Sequence, residues 1–428
     1  MGLLKEDILH LKKDMDAFAV SANNERSKMR FKTVFIGLML LSMIFVFGND
    51  GFAQNIRDLE ARIERLEHAQ EEANMLDGLN LGVGATFVIQ GTSNANGSSI
   101  GYKGNDTTDA AYSMDLELEK EFDNGGMGFV HFETGQSDGV TDDLEVFSNV
   151  NADADASGGI LTLTEIWYEQ NFDDNLLLTF GKINLSAYID NNEYANDECS
   201  QFLSSIFKNS PVIEFPDNTI GIRSCIAFTQ MVDVELAVLD GDADFQQIGD
   251  HPFLAAQITV KPQLINRNGN YRLLFWLNEA PHTKWNDAGK TKESASGFGI
   301  SCDQELVDNI GAFLRAGWQS DDAALDTTAF SLESSYSAGL QFGGGLWGRD
   351  DDVLGMAYGI INPSDEYKKA GSLQAKTENH FEVYYNYKLN DNVAITPDIQ
   401  VIGNPYGKDA ANGTSSIIVA GIRMQLDF

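Results

Sequence analysis

Glu165, Trp167 and Glu169 stand two residues apart, with Ile166 and Tyr168 between them, so on a strand they share one face. Carboxylates at that spacing offer several hydrogen-bond acceptors, and the indole adds a flat apolar surface. Arg223, Arg272, Trp276 and Arg315 sit in similarly alternating stretches, and Glu133 follows His131 in another. These residue types suit multidentate polar contact and stacking. Catalysis finds no footing: there is no Gly-x-Ser-x-Gly elbow, His-Glu-x-x-His helix or Gly-rich phosphate loop, and the six His are scattered. Asp240-x-Asp242-x-Asp244 opens like a calcium loop, but Phe245 stands where the turn needs Gly and His251 where the closing Glu belongs. A solvated loop is expected there, with no metal and no cofactor.

The 428 residues carry 29 Lys+Arg against 64 Asp+Glu, a formal charge of −35. That balance excludes a nucleic-acid binder, whose affinity comes mostly from cationic side chains displacing counterions. Forty Gly, 26 Phe and 13 Tyr with only 8 Pro suit a strand-rich chain. Three Cys allow at most one disulfide.

Met29-Arg30-Phe31-Lys32 leads into a mostly apolar run from Val34 to Phe47, followed by Gly51-Phe52-Ala53. A basic start, a short apolar stretch and small residues predict a secretory signal peptide over 1–53, cleaved after Ala53, with translation starting at Met29. Next, Ile56, Leu59, Ile63 and Leu66 space as a heptad seam between charged flanks, predicting a short periplasmic coiled coil over 54–78. So short a helix needs a partner. Arg62-Ile63-x-x-Leu66-Glu67 is similar to the signature of short parallel trimeric coiled coils.

From Leu79 onward the apolar period is two. Ile418, Ala420, Ile422, Met424, Leu426 and Phe428 lie on one face, with Arg423, Gln425 and Asp427 on the other. Sixteen such strands are predicted, near 79–92, 109–121, 126–136, 159–171, 175–184, 219–230, 231–240, 252–262, 269–279, 294–304, 309–320, 329–344, 353–361, 379–390, 392–402 and 414–428. Their connections alternate between tight turns such as Asn390-Asp391 and mostly longer segments rich in Asp, Asn, Gly and Ser. A β-sandwich gives no reason for that alternation; a transmembrane barrel does. The expected fold is therefore all-β: a 16-stranded antiparallel transmembrane β-barrel over 79–428, in outer-membrane lipid, preceded by the short α-helical coiled coil.

Several stretches then resemble one family. Gly348-Arg349-Asp350-Asp351-Asp352-Val353-Leu354-Gly355-Met356-Ala357-Tyr358-Gly359, Pro397-Asp398-x-Gln400, Asn404-Pro405 and Gly421-x-Arg423-x-Gln425-Leu426-x-Phe428 resemble motifs of the carbohydrate-selective, OprB-type porins. Glu165-x-Trp167-Tyr168-Glu169-Gln170 and Phe180-Gly181-Lys182 resemble the family's central region, so the similarity spans roughly 160–428. The resemblance implies a bacterial outer-membrane porin, exported through the Sec pathway, that passes small sugars or ions without catalysis. Alternation then puts Glu133, Glu165, Trp167, Glu169, Arg223, Arg272, Trp276 and Arg315 in the lumen as the substrate path, and Trp318 on the lipid face near a strand end. The linker 185–218, whose Ile206, Phe207, Val212, Ile213 and Phe215 would otherwise meet water, is expected to fold into the pore. A Cys199–Cys225 disulfide is expected to pin it. The coiled coil is expected to join a homotrimer of this porin, and two rival readings remain: a non-selective, cation-leaning ion pore, and a structural tether whose coiled coil holds the outer membrane to a periplasmic partner.

Overall fold

The computed structural model describes residues 78–428 apart from 98–105, 174, 321, 326, 327, 411 and 412. The signal segment over 1–53, the start at Met29 and the seam Ile56, Leu59, Ile63 and Leu66 lie outside the described residues. No helix among the described residues is long and apolar enough to cross a membrane. The strands are the crossing elements.

Sixteen long strands follow one another: β1 Leu79–Ser93, β2 Thr108–Glu121, β3 Gly126–Gln136, β4 Thr162–Asp173, β5 Leu176–Ile183, β6 Thr219–Thr229, β7 Val232–Asp240 and β8 Pro252–Val260. The second half continues with β9 Arg267–Lys284, β10 Glu293–Val307, β11 Ile310–Gln319, β12 Leu332–Gly343, β13 Val353–Pro363, β14 Glu378–Asn390, β15 Val393–Gly403 and β16 Ser416–Asp427. Two short pieces, Gln263–Leu264 and Ala323–Leu325, pair with β9 at its ends. Each long strand pairs antiparallel with its sequence neighbours, and β16 pairs with β1, in register from Gly84 opposite Asp427 to Ser93 opposite Ile418. The sheet closes on itself and leaves no edge. Phe428 completes the seam, exchanging backbone hydrogen bonds with Val83, while its side chain stays exposed.

The period-two pattern settles which face looks out. On β9, Leu273 and Phe275 are exposed, while Arg272, Leu274, Trp276 and Asn278 are buried. On β14, Phe381 and Tyr387 are exposed against buried His380, Glu382 and Tyr384. The outer face is the apolar one, as a bilayer demands. Aromatic girdles mark both rims. Trp318 stacks on Phe298 with centroids 5.0 Å apart near the ends that carry the long loops, and Trp347 donates to the Tyr385 hydroxyl beside the turn joining β12 to β13.

Candidate functional site

The barrel is wide enough to need filling on one side, and two loops fill it. The 184–218 connection between β5 and β6 turns inward, burying Ala195, Phe202, Ile206, Phe207 and Val212 against Phe313, Ala357 and Tyr384 of the wall. Near its ends, Leu185, Ile189 and Ile213 pack on Phe253, Leu274 and Trp276. The segment 137–161 between β3 and β4 does the same: Val140, Leu144 and Val150 meet Ile402, Ile417 and Val419. The first loop was expected from its stranded apolar residues. The second carries the same signal in Val140, Leu144, Phe147 and Val150, and sequence reasoning passed over it.

Buried loop backbone must find hydrogen-bond partners, and wall side chains supply them. Glu382 accepts from the Leu203 and Ser204 N–H groups at 2.6 and 2.9 Å. Glu378 accepts from Phe147 N at 3.0 Å and Tyr406 N at 2.7 Å. Gln400 and Gln90 both donate to the Val150 carbonyl. Arg315 donates to the carbonyl oxygens of Phe207 and Asp190, and Arg423 to that of Glu198. Glycines on the wall make seats for loop side chains. A Cβ on Gly359 would lie 2.5 Å from Ile206 Cδ1, and one on Gly317 would lie 2.5 Å from Val212 Cγ2. Neither close approach leaves room for a larger residue.

This packing divides the lumen-facing residues read from the sequence. All eight point inward. Arg272, Trp276 and Arg315, however, lie beneath the loop: Arg272 pairs with Asp303 at 2.5 Å, Trp276 is 3% exposed and stacks on Phe253, and Arg315 lies 3.3 Å from the Asp190 carboxylate. Arg315 and Trp276 touch the loop directly, and Arg272 reaches it through Asp303, which accepts from Glu193 N. Glu165 and Trp167 sit at the loop's base. Trp167 Nε1 donates to Glu165, which also accepts from Asn184 N, and the indole stacks on Phe129 at 4.8 Å. Glu133 and Glu169 are partly exposed on β3 and β4, whereas Arg223 on β6 is 6% exposed and lies against Tyr188 of the loop. Arg223 donates to Glu235 at 2.6 Å, lies 3.6 Å from Glu169 and covers the Tyr188 ring at 3.9 Å. Asp115, bonded to His131 at 2.8 Å, and the exposed Glu117 join them. Asp115 and Glu117 were not singled out from the sequence, although alternation on β2 places them with Ser113.

The expected Cys199–Cys225 disulfide is not formed; all three cysteines are free. Cys199 Sγ donates to Asp153 at 3.2 Å and accepts from Thr86 on β1 at 3.5 Å, whereas Cys225 lies on β6, beside Leu177 and Glu235. The loop carries Cys199 across to a wall five strands away from Cys225, beyond the reach of a disulfide. Burial, and then the nearby Asp153 charge, push the Cys199 thiol well above its ordinary value, so it is an inert donor. Burial likewise pushes Asp153 up to about 7. Lys208 closes the same region in an ion pair with Glu198.

A closed antiparallel barrel of sixteen strands, apolar outside and polar inside with inward-folded loops, defines a porin of the bacterial outer membrane. Residues 103–428 match the pattern of the carbohydrate-selective porin, OprB family, and the chain belongs to that family. Its fold is similar to that of Pseudomonas putida OprB in its high-pH structure, with a TM-score of 0.70, 16% identity and coverage of 85% of this chain and 97% of that one. Among curated proteins it is 23% identical over 222 residues to an uncharacterised protein of Aquifex aeolicus, covering 52% of this chain and 58% of that one. It is 22% identical over 255 residues to Porin AaxA of Chlamydia abortus, covering 57% and 53%. The chain thus spans a little over half the length of the curated relatives it matches.

Proposed function

We propose that the protein lets small hydrophilic solutes, sugars first among them, diffuse passively through the passage between the two inward loops and the β2–β7 wall. One observation carries this reading: Arg223, flanked by Glu169 and Glu235 and lying over Tyr188, gathers a guanidinium, two carboxylates and an aromatic ring where the 184–218 loop meets the β4–β7 wall, with Glu169 partly exposed. Hydroxyls of a sugar can bond the guanidinium and carboxylates together, which a monovalent ion does not require. Conductance of the purified protein in planar bilayers tests it, with glucose and larger sugars as blockers. Concentration-dependent block is the expected result, and absence of block by any sugar overturns carbohydrate selectivity.

The carboxylates Asp115, Glu117, Glu133 and Glu169 on the β2–β7 wall favour a second reading, a cation-leaning ion pore. A reversal potential under a salt gradient decides it, because cation preference without sugar block is its signature.

The N-terminal region completes the proposal. The segment over 1–53 directs export through the Sec pathway, and the heptad seam at Ile56, Leu59, Ile63 and Leu66 joins three chains in the periplasm. Sequencing of the mature N-terminus is expected to begin at Gln54. Deleting 54–76 is expected to abolish the trimer and leave sugar flux intact; loss of envelope adhesion in that variant would favour the tether.

A further inference from the structure

The chain between β7 and β8 carries the Asp240-x-Asp242-x-Asp244 run that the solute path does not use. Carboxylate oxygens of these three residues all lie within 4.8 Å of one another. Asp242 and Asp244 are exposed, but Asp240, the last residue of β7, is only 1% exposed. One of its oxygens accepts from Phe245 N at 3.0 Å. The other, Oδ1, is buried and has no hydrogen-bond partner. A buried carboxylate oxygen facing two further carboxylates is costly unless a positive charge meets it.

The loop itself supplies little positive charge. Residues 241–251 contain no Lys or Arg, and the one His, His251, lies 3.9 Å from Asp250. Asp250 and His251 also approach Asp242, so that Asp242 belongs to two groups of donors at once. We propose that Asp240, Asp242 and Asp244 bind a divalent cation of the calcium class at the outer rim of the barrel. An all-oxygen carboxylate set suits a hard cation and not a thiolate- or imidazole-seeking one. Phe245 and His251 stand where a high-affinity calcium loop has its turn Gly and closing Glu, so the affinity belongs at about 0.1–1 mM, the range of extracellular modules. The ion ties the end of β7 to the tip of its loop.

Hydrogen–deuterium exchange of the full-length protein in detergent tests this, with calcium chloride against sodium chloride of equal ionic strength. Calcium is expected to slow exchange over 241–250 in the unsubstituted protein, with half-maximal effect at about 0.1–1 mM. The slowing should vanish in Asp242→Asn and in Asp244→Asn, both substitutions of exposed side chains. Heat-modifiable electrophoretic mobility reports that each variant keeps its barrel. Unchanged exchange over 241–250 in the unsubstituted protein overturns the site. Equal slowing in both variants overturns it too, by placing calcium elsewhere on the acidic surface.

Discussion

Arg315 donates a hydrogen bond to the carbonyl oxygen of Phe207 at 2.6 Å, joining the wall of the barrel to a loop residue 108 positions earlier in the chain. Both residues are almost wholly buried, and the Asp190 carboxylate lies beside the same guanidinium. Removing the arginine therefore leaves a buried carboxylate and two loop carbonyls without their cation. Arg315→Ala is expected to cost the loop on the order of 3–5 kcal/mol, the usual loss when one partner of a buried pair is deleted. The strand ladder does not depend on that side chain. Single-channel conductance should rise as the loop leaves the wall, while heat-modifiable mobility still reports a closed barrel.

The seats beneath the loop make a second, steric prediction. Gly359 has Ile206 Cδ1 where its Cβ would be, at 2.5 Å, and Phe207 is close behind. Gly359→Val must push the loop off or strain it, at about 1–3 kcal/mol. Conductance again should rise. In β13, Gly355, Ala357 and Gly359 alternate on the inward face, and that run of small residues was the available signal that another segment packs there.

The barrel itself was legible because lipid imposes a period of two on every strand and the turns punctuate it. Strand β4 begins three residues later than the spacing suggested, and β9 runs on to Lys284 because it gains Ala323–Leu325 as a partner. Alternation also placed every chosen residue inward. It could not tell a residue that meets water from one that meets a loop, because that depends on contacts from several tens to more than a hundred positions apart in the chain. Trp276 and Glu133 look alike in sequence; only Ile213 and Leu185 packing near the first separate them. The disulfide failed for the same reason: loop length says that Cys199 can travel, not which wall it reaches.

Asp153 gives the join between the two loops a pH dependence. Burial raises its carboxyl from the ordinary 3.8 to about 7, so the folded state holds a proton that the unfolded chain has released between those values. Its stabilising contribution is full below about pH 4 and is lost as pH rises through about 7, a change of a few kcal/mol. Thermal melting followed from pH 4 to 8 should fall more steeply in the unsubstituted protein than in Asp153→Asn. Parallel curves would remove Asp153 as the cause.

The turn between β12 and β13 has the opposite sign. Asp352 accepts from Arg349 Nε at 2.5 Å, from the Tyr385 hydroxyl and from Lys388 N, and Arg349 holds its carboxyl down to about 2. A depressed carboxyl contributes stability above the ordinary value of 3.8, lost as pH falls toward 2. Arg349→Ala should flatten that loss of melting temperature between pH 4 and 2.

Charge on the partly exposed face of β2 and β3 sets the last expectation. Glu133 stands on β3 with Asp115 directly across on β2 and His131 two residues before it. Lys208, on the inward loop, is near enough to interact electrostatically with Glu133. Fixed carboxylates facing a narrow aqueous path concentrate cations there, and the effect weakens as salt screens them. Glu133→Gln is expected to shift the reversal potential toward zero under a potassium chloride gradient, more at low salt than at high. Sugar block should change little, since Arg223, Glu169 and Glu235 remain in place on β6, β4 and β7. If sugar block and cation preference fall together, the two solutes share Glu133 and the wall is a single site.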